Sequence, residues 1–124
     1  MQTERRRNIR LNIPDGFHAV LRVYTNEKEL VFDAHIKDLS LTGLGIHENN
    51  NLPVFLLLSA LQAQSPIIFH NAVIDLDGEE LKTGIVWKWN RKTGRAGMEI
   101  IGLNDHDMAI LKKKLDDINN YAKP

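Results

Sequence analysis

Apolar and polar residues alternate along much of the chain, which is the pattern of β-strands with one buried face. The stretches 17–24 and 29–38 both alternate in this way, and the polar loop "TNEKE" joins them, so together they predict an antiparallel hairpin. One face of the second stretch collects apolar residues: Leu30, Phe32, Ala34 and Ile36. A further short strand is predicted at 43–48, before turn-forming residues at 49–53.

Strand-like composition returns at 67–76 and 81–89, around an Asp77-Gly78 pair that suits the left-handed dihedrals of a tight hairpin turn. The chain then turns through "RKTGRAG" into "MEIIGL". The apolar run inside 52–66 fits a buried strand and a short helix equally, so the secondary structure of that segment is left open. Five or six strands with short connections predict a small antiparallel β-barrel, which leaves no exposed sheet edge.

The end of the chain changes to helical periodicity. Apolar residues recur there at Met108, Leu111, Leu115 and Ile118. Asn104 and Asp105 precede this stripe as candidate caps, so we predict a C-terminal α-helix that packs over a barrel opening or outer face.

Composition narrows the class of protein. A length of 124 residues with 43% apolar residues fits a single globular domain. The 16 basic and 16 acidic residues cancel, so no overall field favours nucleic acid or membrane. The absence of cysteine excludes disulfides, thiol nucleophiles and cysteine-bound zinc. No apolar run is long enough for a bilayer and no signal-peptide pattern is present, so we expect a cytoplasmic protein.

Four arginines lie in the stretch "RRRNIR" at 5–10, just before the first predicted ordered element. By itself such a cluster is typical of a solvated basic tail. Arg5, Arg6 and Arg10 nevertheless form the pattern R-R-x-x-x-R. We expect residues 1–12 to be a flexible basic arm and residues 13–124 to form the barrel and its helix.

A second short motif, "DLSLTG" at 38–43, reads D-x-S-x-x-G. By itself it is typical of a turn. With the arginines it supplies the groups that bind a guanine nucleotide, because guanidinium binds phosphate, pairs with guanine O6 and N7, and stacks on a base. Asp38 can accept from guanine N1 and N2, Ser40 can add a bond, and Gly43 lets a ligand approach the backbone.

In these two motifs the chain resembles the PilZ domain family, the bacterial receptors for cyclic di-GMP, whose hallmark is RxxxR followed by (D/N)xSxxG. Every hallmark position is filled, by Arg6, Arg10, Asp38, Ser40 and Gly43. The resemblance continues through "GIVWKW", "RAGMEIIGLNDHD" and the C-terminal helix. It implies a six-stranded antiparallel split barrel followed by one α-helix.

The resemblance also implies a ligand, cyclic di-GMP, and the residues that bind it. The expected binding residues are Arg5, Arg6, Arg10, Asp38, Ser40 and Gly43. A second set is expected near the ligand: Arg7, to which no role is assigned, Trp87 and Gly97. In this family the residue before RxxxR influences whether one ligand or an intercalated pair is held, and Arg5 resembles members that hold the pair.

We expect no cofactor, no metal and no catalysis, since the five histidines show no metal spacing and no serine has a nucleophile context. The expected signal is ordering of residues 4–12 over the ligand, read in trans by an effector protein. Trp87 and Trp89 are two residues apart and are predicted to share a strand face, with core packing favoured over a lid.

Two alternatives remain at this point. A small-barrel module for single-stranded nucleic acid would use the arginines on phosphates and the tryptophans for stacking. Zero net charge and an aromatic content of 6% weigh against that module. The other alternative is an adaptor that keeps the barrel and binds only protein.

Overall fold

The computed structural model describes residues 9–47, 67–90 and 95–121. Within these ranges seven β-strands precede one α-helix. The elements are β1 (Leu11–Asn12), β2 (Ala19–Tyr24), β3 (Leu30–Leu39), β4 (Gly43–His47), β5 (Ile67–Leu76), β6 (Glu79–Asn90), β7 (Arg95–Ile101) and α1 (Asp105–Tyr121).

Six of these strands close into an antiparallel barrel in the order β3-β2-β5-β6-β7-β4, with β4 pairing back onto β3. The additional strand β1 pairs Leu11 with Leu39 and Asn12 with Asp38. It occupies the edge of β3 beyond the end of β2, because β4 already holds the other edge at those residues. The predicted mainly β fold, a six-stranded barrel followed by a C-terminal helix, is confirmed.

The barrel interior is filled by the alternate residues of each strand. In β2, for example, Ala19, Leu21 and Val23 point inward and are almost fully buried. Phe32 packs edge-on against Trp87, with ring centroids 5.9 Å apart. Burying a large apolar side chain contributes roughly 1.5–3 kcal/mol, so this single core is the main source of stability.

Helix α1 packs on the barrel through its apolar stripe, as predicted from the sequence. Leu111 and Ile118 are buried against the barrel, with Met108 and Leu115 partly buried beside them. The side-chain oxygen of Asn104 accepts a hydrogen bond of 2.7 Å from the backbone N–H of Asp107, which makes Asn104 the N-cap. Within the described ranges no helix combines the length and the apolar character needed to cross a membrane.

The hairpin between β5 and β6 has the predicted tight turn. Asp77 and Gly78 have φ values of 55° and 95°, so both are left-handed, as a two-residue hairpin turn requires. Asp75 Oδ1 accepts from the backbone N–H of Gly78 at 3.0 Å.

Two segments singled out in the sequence include residues outside the described ranges. The segment 52–66, whose secondary structure was left open, lies entirely outside them. Of the predicted arm, residues 9–12 are described, and the last two of them form β1. The division of the chain into an arm of residues 1–12 and a domain of residues 13–124 therefore stays a prediction.

Two β-bulges interrupt the regular alternation near one end of the barrel. In β3, Ile36 pairs with Ile46 and Asp38 with Gly45, so Lys37 is an extra residue. Regular alternation from Ile36 would turn Asp38 inward, and the extra residue leaves Asp38 on the outer face with Leu39 buried.

The second bulge lies in β6, where Trp87 pairs with Met98 and Trp89 with Gly97, so Lys88 is the extra residue. Trp87 and Trp89 were predicted to share a strand face because regular alternation puts every second residue on the same side. The register shift between them interrupts that alternation. Lys88 itself is exposed.

Candidate functional site

The two sequence motifs meet on the outer face of the barrel through an ion pair. Arg10 Nη1 donates a hydrogen bond of 3.0 Å to Asp38 Oδ1. The pairing of β1 with the end of β3 produces this contact, because it brings Arg10, just before β1, alongside Asp38. The Arg10 side chain is 39% exposed and the Asp38 side chain 13%. The guanidinium is therefore accessible to a ligand, and the carboxylate is held close to the sheet.

Glycine backbone forms a floor beneath this ion pair. Gly45 pairs with both Asp38 and Gly97 in the sheet. A Cβ on Gly45 would stand 2.8 Å and 2.9 Å from the two Asp38 carboxylate oxygens. A Cβ on Gly43 would stand 2.8 Å from Arg10 Nη2 and 2.9 Å from the Met98 carbonyl oxygen. The ion pair thus lies directly on the backbone of β4, which only glycine permits.

Ser40 builds the turn that connects β3 to β4. Its hydroxyl, in a residue only 1% exposed, accepts from the backbone N–H groups of Thr42 and Gly43 at 3.2 Å and 3.1 Å. The Ser40 backbone N–H donates to the Gly43 carbonyl at 2.9 Å. The turn expected for this motif is confirmed, and the Ser40 hydroxyl holds the backbone of Thr42 and Gly43 in this conformation.

A cleft of about 200 Å³ opens beside the ion pair. Its lining residues are Arg10, Thr42, Gly43, Lys88, Gly97, Met98 and Glu99. Gly97, from the second predicted set, is therefore on the cleft wall. Lys88 Nζ lies 3.1 Å from Glu99 Oε1 in a half-exposed ion pair.

The remaining predicted residues are Arg5, Arg6, Arg7 and Trp87. Arg5, Arg6 and Arg7 lie outside the described residues. Trp87 lies in the core, where it is 1% exposed and packs against Phe32. It was expected near the ligand, but it does not line the cleft. Its indole N–H is buried with no hydrogen-bond partner in the described part of the chain.

Gly45, Lys88 and Glu99 contribute to this face of the barrel and were not predicted as site residues from the sequence. Gly45 stands two positions from Gly43, the spacing of one strand face, and this signal was present in the sequence. Lys88 and Glu99 are ordinary strand charges, and only the pairing of β6 with β7 brings them to the cleft.

A larger cleft of about 580 Å³ lies over β2, β5 and β6. It contains none of the predicted residues, and its guanidinium, Arg22, is already bonded to Tyr24, Asp75 and Glu80. Among residues 9–47, 67–90 and 95–121, no cluster of three or more potential metal ligands occurs. The smaller cleft is thus where the predicted groups converge.

No protein-family model and no curated protein matches this chain. Solved structures do match. MrkH of K. pneumoniae in complex with c-di-GMP superposes with a TM-score of 0.69 at 20% identity, over 93% of this chain and 52% of MrkH. MrkH in its apo state gives 0.66 at 20% identity, over 93% of this chain and 51% of that one. The chain thus spans about half the length of the MrkH chains it matches.

The PilZ domain of YcgR from Escherichia coli, solved with c-di-GMP, gives a TM-score of 0.55 at 11% identity. This match covers 93% of the present chain and 92% of the YcgR domain, so it extends over nearly the whole of both. Together with the barrel, the extra strand and the C-terminal helix, it shows that this chain has the PilZ-domain fold.

Proposed function

We propose that this protein is a non-enzymatic receptor for cyclic di-GMP. The observation that carries the proposal is the meeting of Arg10 and Asp38, 28 positions apart in sequence, at 3.0 Å over a glycine floor on the outer face of the barrel. One matched structure of MrkH and the matched structure of the YcgR PilZ domain contain c-di-GMP, which supports the choice of this ligand.

Each group at this face has a role in holding the ligand. Arg10, together with Arg5 and Arg6 of the arm, binds phosphate oxygens and guanine faces. Asp38 accepts hydrogen bonds from guanine N1 and N2. Gly97 and Gly43 carry no side chain, so a planar base can approach the sheet closely there once the Arg10 guanidinium, which lies over Gly43, has moved.

Binding requires the Arg10–Asp38 ion pair to open. The Asp38 carboxylate faces Arg10 in the ligand-free arrangement, and guanine would compete for the same oxygens. The charge is not left unpaired, since guanine N–H groups replace the guanidinium at Asp38 and phosphate replaces the carboxylate at Arg10. Such an exchange releases Arg10, and with it the chain that precedes β1, to move with the ligand.

The proposed output follows from that movement. Of residues 4–12, those that precede β1 order over the ligand while Leu11 and Asn12 keep their pairing with β3. The remodelled surface is read by a separate effector protein in the cytoplasm. Ordering a short segment costs conformational entropy, which charge-assisted hydrogen bonds to the phosphates offset. Arg5 adds a further guanidinium for a second ligand molecule, so we propose that an intercalated pair is bound.

Calorimetric titration with cyclic di-GMP tests the proposal. The wild-type protein should bind two molecules per chain, and Arg10→Ala or Asp38→Ala should lose most of the affinity. Arg22→Ala, which removes a guanidinium from a different face, is the control for a change in charge. Absence of binding by a folded wild-type protein would refute the function, whereas a stoichiometry of one would remove only the ligand pair.

The salt dependence of binding distinguishes the nucleic-acid alternative from a receptor for cyclic di-GMP. Binding to single-stranded nucleic acid falls steeply as salt increases, and it relies on aromatic stacking platforms. Burial of Trp87 in the core removes one of the two tryptophans from such a platform. Tight, salt-sensitive binding of oligonucleotides without cyclic di-GMP binding would favour that alternative.

A further inference from the structure

Lys88 occupies a special position in β6. It is the extra residue of the bulge between Trp87 and Trp89, and its side chain, 52% exposed, lines the same cleft as Arg10. Bulges commonly re-aim a side chain beside a functional site.

The ammonium of Lys88 is held by a carboxylate of the same cleft. Lys88 Nζ lies 3.1 Å from Glu99 Oε1, and Glu99 is 47% exposed. Ion pairs this exposed contribute little to folding, because water screens them and both side chains lose freedom in forming them. The pair can therefore open without a large loss of stability. Once the pair is open, the Lys88 ammonium attracts an anionic ligand and the Glu99 carboxylate repels it.

From this arrangement we propose that Lys88 binds a phosphodiester group of the ligand and that Glu99 competes with the phosphate for Lys88, lowering the affinity of the site. The inference rests on the proposed function, since it concerns the same cleft. In the free protein Lys88 pairs with Glu99. In the complex the phosphodiester takes the ammonium and Glu99 turns to solvent.

Two substitutions should move the affinity in opposite directions. Lys88→Ala removes the cation, and we expect binding of cyclic di-GMP to weaken about fivefold, with a shallower dependence on salt. Glu99→Gln removes the competing charge and keeps the side-chain shape, and we expect binding to tighten about threefold. In a Lys88→Ala background, Glu99→Gln should have less effect, because there is no ammonium left to release.

The matched control is Lys82→Ala, an exposed lysine of the same strand that lies outside this cleft. It removes the same charge and should leave the affinity unchanged. Melting temperatures of all variants separate folding from binding. Both Lys88 and Glu99 are exposed enough that neither change should unfold the barrel.

A salt bridge with a purely structural role predicts losses of the same sign for both variants, and that result would overturn the inference. Weaker binding by Glu99→Gln would do so too, since it would make Glu99 a direct ligand contact. If the wild type binds tightly and Lys88→Ala binds with the same affinity, Lys88 does not bind the ligand. The proposed function would be unaffected by that result. Failure of the wild type to bind would instead be a failure of the proposed function.

Discussion

Gly45 lies directly beneath Asp38, so that a Cβ at Gly45 would stand 2.8 Å from Asp38 Oδ1. We predict that Gly45→Ala displaces the carboxylate and lowers the affinity for cyclic di-GMP by about tenfold, the scale of one lost hydrogen bond to a charged group. The free energy of unfolding should change by less than about 1 kcal/mol, because Gly45 has no left-handed φ that alanine would resist. Calorimetry and urea denaturation measure the two effects.

Gly43→Ala provides the comparison. Its new methyl group would meet the Met98 carbonyl oxygen at 2.9 Å, and a backbone atom yields less readily than the end of a side chain. It should therefore lower both affinity and stability. Equal stability losses at the two glycines would contradict the view that Gly45 faces only a movable carboxylate.

Ser40→Ala should destabilise the fold as well as weaken binding. The Ser40 hydroxyl is buried and accepts from the backbone N–H groups of Thr42 and Gly43. Removing it takes the acceptor from the buried Gly43 N–H and the partly buried Thr42 N–H, which costs about 1–3 kcal/mol. Urea denaturation measures the loss of stability, and calorimetry measures the loss of affinity.

A matched hydroxyl is available at Thr25. Its Oγ1 accepts from the backbone N–H of Glu29 at 3.1 Å in an exposed turn, so water can replace that bond. Thr25→Ala should therefore cost much less than Ser40→Ala. If the two variants unfold at the same urea concentration, Ser40 does not hold the turn in the way described.

Acid stability should depend on Asp75. Burial raises the pKa of Asp75, but hydrogen bonds from the Gly78 backbone and Arg22, with the nearby His18 and Arg22 charges, outweigh it and hold the pKa below its ordinary value of 3.8. A carboxyl with a lowered pKa stabilises the fold above its unfolded pKa and loses that contribution as the pH falls toward the folded value. Stability should therefore decline below pH 3.8.

Asp75→Asn is the direct check, because the amide oxygen can still accept from Gly78 while the charge is gone. This variant should be less stable than wild type near neutral pH and should lose less stability on acidification. Unfolding followed by circular dichroism from pH 6 to pH 2.5 measures both slopes. Parallel slopes for the two proteins would assign the acid sensitivity to other carboxyls.

Trp87→Phe should leave ligand binding unchanged. Trp87 is 1% exposed and packs against Phe32 inside the barrel, so the substitution alters the core and not the cleft. The lost volume is destabilising, but the change also removes a buried N–H that has no partner among the described residues, so the cost should fall below the roughly 3–5 kcal/mol of Trp→Ala. A fold-stable variant with weakened binding would place Trp87 back beside the ligand.

Most of the fold could be predicted from the sequence because period-two alternation, the Asp77-Gly78 turn and the Asn104 cap act locally. Each depends on neighbouring residues and on simple backbone preferences. The meeting of Arg10 with Asp38 required a long-range pairing, and only the resemblance of the two motifs indicated it.

The expectation that Trp87 and Trp89 share a strand face depended on regular alternation. Period-two reasoning assumes an uninterrupted strand, and the register shift after Trp87 violates that assumption. Lys88 and Glu99 escaped notice because the partner of a surface charge depends on cross-strand register, which the alternation pattern does not specify. The buried position of Trp87 agrees with the interpretation that it packs in the core. It does not agree with the place of Trp87 among the residues expected near the ligand.

The bulges at Lys37 and Lys88 also determine where the chain tolerates changes in length. Deleting one residue from a regular strand turns every later side chain to the opposite face. Deleting a bulged residue restores regular pairing and leaves the later side chains facing as before. A protein one residue shorter at position 37 would keep Asp38 outward and Leu39 inward, whereas one shorter at position 88 would keep its core and lose the lysine from the cleft.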